Sequence, residues 1–252
     1  MFLGSAPFFI VSDIRKSADF YSNVLGFNCP KIRDSNPPFA MPKRENMVVM
    51  LEQANNSSVR NNLGKWDAYY WVTNIQALFE EFKKNGATFL YEIEEKHYYG
   101  NLEFAVKDPD DYILAFAQEM TDNAMFSKAK TTEFKHLSPV LASENVTRDV
   151  KWYEEKLGFK NVYDSTCYQE GPMDYAVVGR QKLFLHLQFQ YPDCMISTDV
   201  KFEVSNIEPL YAEFLANGVI TEKSINRKTA WHTSECCFFD LSRNRITFFK
   251  DI

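Results

Sequence analysis

The segment FYSNVLGF at residues 20–27 returns as WYEEKLGF at 152–159, an offset of 132 residues. Val72 and Val204, Asn85-Gly86 and Asn217-Gly218, and Asp108 and Asp240 keep the same offset. Anchors at one long period mark a tandem duplication, and a repeat must be recognised before any element is assigned. The register slips only between about residues 28 and 66, where the second copy gains four residues and then loses four, so that Met50-Leu51 matches His186-Leu187. Whatever this chain folds into, it folds into twice. The expected layout is a first domain over 1–118, a polar linker over 119–133 (EMTDNAMFSKAKTTE) and a second domain over 134–252. At 252 residues the chain is long enough for each copy to bury its own core.

Each copy carries the pattern strand, helix, strand, strand, strand two times over. Asp13 precedes a helical run with apolar Ile14, Ala18, Tyr21 and Leu25, and Gly26 suits the left-handed position that ends it. Asn145 and Gly158 repeat this start and stop. In the second helix of the first copy, Thr73 and Gln76 are expected to form a capping box, repeated by Ser205 and Glu208. Ile75, Leu78, Phe79 and Phe82 make its buried stripe, and Asn85-Gly86 stops it. NLEFAVKDPDDYILAFAQ reads as two strands joined by a turn at Asp108–Asp111. In TDVKFEV, Val200, Phe202 and Val204 alternate with Asp199, Lys201 and Glu203; in WDAYYWV the matching polar-face set is Asp67, Tyr69 and Trp71. Alternation puts one face under helices and leaves the other to solvent or a cleft.

Composition narrows the function. No apolar run is long enough to span a bilayer, and the N-terminus lacks the basic start of a signal peptide. A formal net charge of −6 without a dense Lys/Arg cluster argues against nucleic acid. The five cysteines, Cys29, Cys167, Cys194, Cys236 and Cys237, show no C-x-x-C spacing and read as reduced thiols of a cytoplasmic protein. No nucleophile elbow, phosphate-binding loop or H-E-x-x-H motif is present.

With these segments in view, VSDIRKSADFYSNVLGF, WVTNIQALFEEFKKNGA and EFAVKDPDDYILAFAQ resemble the vicinal oxygen chelate superfamily. That group holds glyoxalase I, bleomycin-resistance proteins and extradiol dioxygenases. The second copy, LSPVLASENVTRDVKWYEEKLGF with LFLHL, is closest in look to the bleomycin-resistance branch. The resemblance implies an α+β fold: four βαβββ units in two tandem copies, curved mixed sheets enclosing clefts, helices on the outer face. It also implies that duplication fused a homodimer into a pseudo-dimer, monomeric or itself dimerising, whose clefts can specialise separately.

Metal-dependent members of that superfamily draw one ligand from each of four strands. Carried over, the positions fall on Ala6, Met50, Asp199 and Thr247 for one cleft and on Ser138, His186, Asp67 and Ala115 for the other. Alanine cannot ligate, and methionine suits hard cations poorly. His186 with Asp67 is the best remnant, either of a metal site or of a general base in which a carboxylate orients an imidazole. His136 shares its strand face with Ser138, while His97 and His232 flank the loops before the seventh strands.

The favoured expectation is a metal-free binding module, without cofactor, for a small planar or aromatic molecule. Its walls would be Trp66, Tyr69, Trp71, Tyr99 and Trp231, its polar contacts Asp67, His97, His186, Asp199 and Glu203. The alternative is a lyase, isomerase or dioxygenase of the same superfamily with a degenerate metal site at His186 and Asp67. A third possibility is a non-catalytic scaffold whose clefts are relics.

Overall fold

The computed structural model describes residues 1–54, 64–120 and 132–252. The central part of the expected linker, residues 121–131, lies outside them. The first copy runs β1 (Phe2–Val11), α1 (Ile14–Asp19), β2 (Phe39–Ala40), β3 (Lys43–Arg44), β4 (Met47–Val48), β5 (Met50–Gln53), β6 (Ala68–Val72), α2 (Ile75–Lys84), β7 (Thr88–Lys96), β8 (Asn101–Lys107) and β9 (Ile113–Glu119). The second runs β10 (Phe134–Ser143), α3 (Val146–Leu157), β11 (Lys160–Asp164), β12 (Tyr175–Arg180), β13 (Leu183–Phe189), β14 (Asp199–Val204), α4 (Glu208–Ala216), β15 (Ile225–Asn226), β16 (Thr233–Phe239) and β17 (Arg245–Asp251). No helix among the described residues is long and apolar enough to cross a membrane.

The fold is α+β with mixed sheets; β3 and β4 of the first module form a separate two-stranded pair, and otherwise each βαβββ module follows one rule. Its first and last strands pair in parallel: β1 with β5, β6 with β9, β10 with β13, β14 with β17. The last strand then folds back antiparallel, as β9 to β8 and β17 to β16. A parallel pair needs a crossover, which the helix of each module supplies. The register repeats with the sequence. Phe8 faces Met50 and Val140 faces His186; Tyr69 faces Ala115 and Lys201 faces Thr247.

The chain forms two compact units. One comprises Met1–Ala6 with Ser138–Ile252, and the other is Pro7–Leu137. β1 and β10 are therefore each divided between units. In the 7–137 unit, Tyr70, Phe104, Leu114 and Phe116 turn toward Ile75, Leu78, Phe79 and Phe82 of α2, all buried in one core. In the other, Phe2 joins Phe202, Phe248 and Phe214. Each such side chain, buried, contributes on the order of 1.5–3 kcal/mol.

The repeated LGF is explained by an arginine that arrives from later in the module. Arg44 Nη1 donates to the Leu25 carbonyl at 2.6 Å, at the end of the π-helical turn Phe20–Val24 that continues α1, and forms a two-pronged pair with Glu81 of α2 at 2.8 and 2.9 Å. Arg180 does the same to the Leu157 carbonyl and Glu213 of α4. Arg44 also lies 4.7 Å over Phe134, and Arg180 5.2 Å over Phe2. Gly26 must be glycine on two counts: its φ is +68°, and a Cβ there would sit 2.8 Å from Arg44 Nη1. The Asn-Gly pairs do more than stop helices. Asn85 Nδ2 donates to the Val24 carbonyl and Asn217 Nδ2 to the Lys156 carbonyl, so both helix ends are held from two sides.

Asp13 and Asn145 cap α1 and α3 as expected, through Arg15 and Lys16 N–H and through Arg148 N–H respectively. The expected capping boxes do not form. Asn74 caps α2 by accepting from Ala77 N–H, and Thr73 Oγ1 instead accepts from Glu133 N–H. At α4, Ser205 Oγ is engaged by the N-terminal amine of Met1 at 3.0 Å, and Asn206 accepts from Glu208 N–H. In both places a residue just ahead of a strand distant in sequence takes the hydroxyl that the local pattern assigns to the helix.

Candidate functional site

The face of β6, β8 and β9 turned away from α2 carries a polar aromatic cluster, contained in the 7–137 unit. Period-two geometry puts Tyr69 and Trp71 of β6, Asn101, Glu103 and Ala105 of β8, and Ala115 and Ala117 of β9 on that face. Two rows cross it: Trp71, Ala117 and Glu103, then Tyr69, Ala115 and Ala105. Three alanines leave a shallow floor, and rings from the edges close over it. Trp66 lies 5.1 Å from Tyr69, Tyr69 lies 5.4 Å from Trp71, and His136 stacks on Trp71 at 5.6 Å.

Glu103 stands at the centre, with no solvent exposure. Its Oε2 accepts from Tyr69 Oη at 2.6 Å and from Tyr99 Oη at 3.3 Å, and its Oε1 accepts from Tyr91 Oη at 2.5 Å. Further donors fix the phenols: Asn101 Nδ2 donates to Tyr69 Oη at 3.1 Å and Trp66 Nε1 to Tyr91 Oη at 3.0 Å. Burial pushes the Glu103 carboxyl above its ordinary range, while the Tyr69 and Tyr91 hydroxyls and the Lys96 ammonium pull it back. Burial and the Glu103 charge together drive Tyr91 well above the usual phenol range. Burial, then the neighbouring Lys135 charge, lowers His136 to about 4, so its imidazole is neutral near pH 7. Lys96 sits 4.9 Å over the Tyr91 ring at the edge of the cluster. Trp66, Trp71, Tyr91, Tyr99 and His136 are half-buried, whereas Tyr69, Asn101 and Glu103 are buried.

Of the residues expected from sequence, Trp66, Tyr69, Trp71 and Tyr99 meet here. Asp67 is buried beside them, where its Oδ2 accepts the Ile113 N–H at 2.8 Å. His97 is exposed and pairs with Glu95 at 3.2 Å. The other candidates lie in the second unit. His186 Nδ1 shares a hydrogen bond with Tyr175 Oη at 2.7 Å. Asp199 pairs with Arg245 at 2.8 Å, and Glu203 is half-buried on β14. Trp231 is exposed, its indole N–H 3.4 Å from Glu235. Glu103, Tyr91 and Asn101 are not among the residues that the sequence pattern points to. The signal for Glu103 was present in its recurrence as Glu235, each four residues after an aromatic side chain, Tyr99 or Trp231.

The positions that the superfamily resemblance assigns to metal ligands carry side chains that do not fit such a centre. Ala6 and Ala115 offer no donor atom, Met50 offers only a thioether, and one Asp67 carboxylate oxygen already holds a backbone amide. Among the described residues no group of three or more His, Cys, Asp or Glu side chains is placed to hold a metal ion. All five thiols are free, and burial pushes Cys236 up to about 12, far from a nucleophile's range.

Comparison with known proteins agrees with the fold. Residues 6–116 match the family model of the Glyoxalase/Bleomycin resistance protein/Dioxygenase superfamily. The second copy repeats its parallel strand pairs and their register. Glyoxalase I from Zea mays superposes with a TM-score of 0.65 at 16% identity, covering 99% of this chain and 92% of that one. A protein described as a putative dioxygenase from Bacillus subtilis subsp. subtilis str. 168 gives 0.71 at 14% identity, covering 99% and 86%. At these identities the likeness is one of fold. No curated protein matches the chain in sequence.

Proposed function

We propose that this glyoxalase-fold protein is a metal-free binding module whose aromatic cluster around Glu103 takes a small planar molecule, preferentially a cation. The observation that carries the reading is a buried carboxylate enclosed by aromatic side chains. Trp66, Trp71, Tyr91 and Tyr99 keep part of their surface open while Glu103 lies beneath them. Ring faces attract cations and stack on flat ligands, each such contact contributing about 0.5–2 kcal/mol. The carboxylate adds a negative field in a site poorly screened by water. The donor chemistry at the superfamily's ligand positions favours this reading over a metal-dependent lyase, isomerase or dioxygenase built on His186 and Asp67.

The test is titration with proflavine, a planar cation, against acridine, its uncharged counterpart at neutral pH, read by tryptophan fluorescence. Saturable quenching by proflavine is expected, weakened roughly 5- to 30-fold by Trp71→Leu, in line with the loss of one aromatic contact. Quenching that does not saturate, or that Trp71→Leu leaves unchanged, rules this site out. Elemental analysis of the same preparation addresses the alternative: one metal ion per chain, lost on His186→Ala, would turn the search toward metal-dependent chemistry.

A further inference from the structure

The buried turn after β8 and its repeat after β16 share their backbone bonds and differ in one polar group. Asp108 Oδ1 accepts the N–H groups of Asp110 and Tyr112, at 2.8 and 2.9 Å. Asp240 Oδ1 accepts those of Ser242 and Asn244, at 2.9 and 2.8 Å. The second carboxylate oxygens have different surroundings. Asp240 Oδ2 accepts from Tyr153 Oη at 2.9 Å and from Asn244 Nδ2 at 2.7 Å, and Asn244 also donates to the Ala142 carbonyl at 2.7 Å.

In the first copy, Tyr112 stands at the position of Asn244. Its hydroxyl donates to the Ile10 carbonyl at 3.1 Å, the equivalent of Ala142, but a phenol so engaged supplies nothing to Asp108. Tyr21 stands at the position of Tyr153, and Tyr70 adds a hydroxyl where the second copy has Phe202. Tyr21 Oη, Tyr70 Oη and Asp108 Oδ2 are all buried, and among the described residues none has a hydrogen-bond partner. Both tyrosine rings pack edge-on against Phe27, at 5.7 and 6.3 Å, and both hydroxyls feel the Asp108 charge.

Three unpartnered buried oxygens in one place are costly, at about 1–3 kcal/mol each, unless something bridges them. The equivalent turn of the second copy needs no bridge, because Asn244 and Tyr153 complete the Asp240 set. We infer that Tyr21, Tyr70 and Asp108 hold a buried water molecule in the first copy, in the role that the Asn244 side-chain amide plays in the second. The water accepts from the Tyr21 and Tyr70 hydroxyls and donates one O–H to Asp108 Oδ2, the three hydrogen bonds typical of an internal water. Burial pushes Asp108 up to about 8, whereas it pushes Asp240 only to about 6, held back by the Asn244 and Tyr153 donors. A water donating to Oδ2 supplies part of that missing stabilisation of the charge.

The experiment is a crystal structure of the intact protein at a resolution that shows ordered water, paired with thermal unfolding of Tyr21→Phe and Tyr70→Phe. Phe202 at the equivalent position shows that this module tolerates phenylalanine there. Density within hydrogen-bond distance of all three oxygens is expected, and each variant should lower the unfolding midpoint by roughly 2–4 °C through loss of one bond to the water. A dry site overturns the proposal. So does an unchanged or raised midpoint in either variant, because removing a hydroxyl that bonds to nothing relieves a penalty.

Discussion

Glu103 and Glu235 stand 132 residues apart, opposite Ala117 and Phe249 in the same register of equivalent hairpins. Each follows an aromatic donor by four residues. Around Glu103 the copy supplies Tyr69, Tyr91 and Asn101; around Glu235 the same positions hold Lys201, Lys223 and Thr233. Glu103 is sealed under phenols, while Glu235 is half-buried, with Thr233 Oγ1 at 3.2 Å and an exposed Trp231 at 3.4 Å. Duplication has kept the carboxylate and replaced its surroundings. One copy makes an aromatic enclosure for it, and the other makes a wetter, more charged surface.

The sharpest test of that contrast is to neutralise each carboxylate. Glu103→Gln is expected to cost about 2–3 kcal/mol in urea unfolding, because three phenols lose a charged acceptor in a buried site. Glu235→Gln should stay within about 0.5 kcal/mol, as for surface changes. Equal costs would break the comparison. Next come the repeated glycines. Gly26→Ala meets Arg44 Nη1 at 2.8 Å and Glu81 at 2.9 Å, whereas Gly158→Ala meets its nearest neighbours at 3.3 Å. Both carry positive-φ strain, so losses of about 2 and about 1 kcal/mol are expected, the larger in the first copy.

The smallest effect is the pH response of His136, whose repeat equivalent is Gly4 and cannot titrate. The folded protein holds His136 at about 4 against an ordinary 6.5, so the unfolded chain binds the proton more readily in between. Its contribution is therefore complete above about pH 6.5 and is lost as pH falls toward 4. His136→Asn should flatten the stability slope in that window while leaving it unchanged above. An unchanged slope would place the imidazole in water.

The fold was legible because a duplicated pattern tests itself: each helix start, Asn-Gly stop and Asp turn had to work at two positions. Residues whose partners lie far along the chain were less legible. Thr73 and Ser205 sit where a capping box belongs, yet Glu133 and Met1 claim their hydroxyls. Arg44 and Arg180 look like ordinary strand residues until the fold brings a helix end and a glutamate to them. For the site, the aromatic side chains could be read from alternation along β6. Glu103 in NLEFAV could not be told from a solvent-facing strand carboxylate, because the phenols that bury it come from β6, β7 and the loop between β7 and β8.

The division of β1 has a consequence for the order of events on the ribosome. Pro7–Leu137 is one continuous stretch, and all of it has been synthesised before most of the other unit exists. Met1–Ala6, made before that stretch, belongs to the unit whose core includes Phe248, and Phe2 lies 5.7 Å from that ring. Domains tend to fold as units, the N-terminal one first during synthesis. Here residues 1–6 wait for strands made more than a hundred residues after them, so a contact encoded early is completed late.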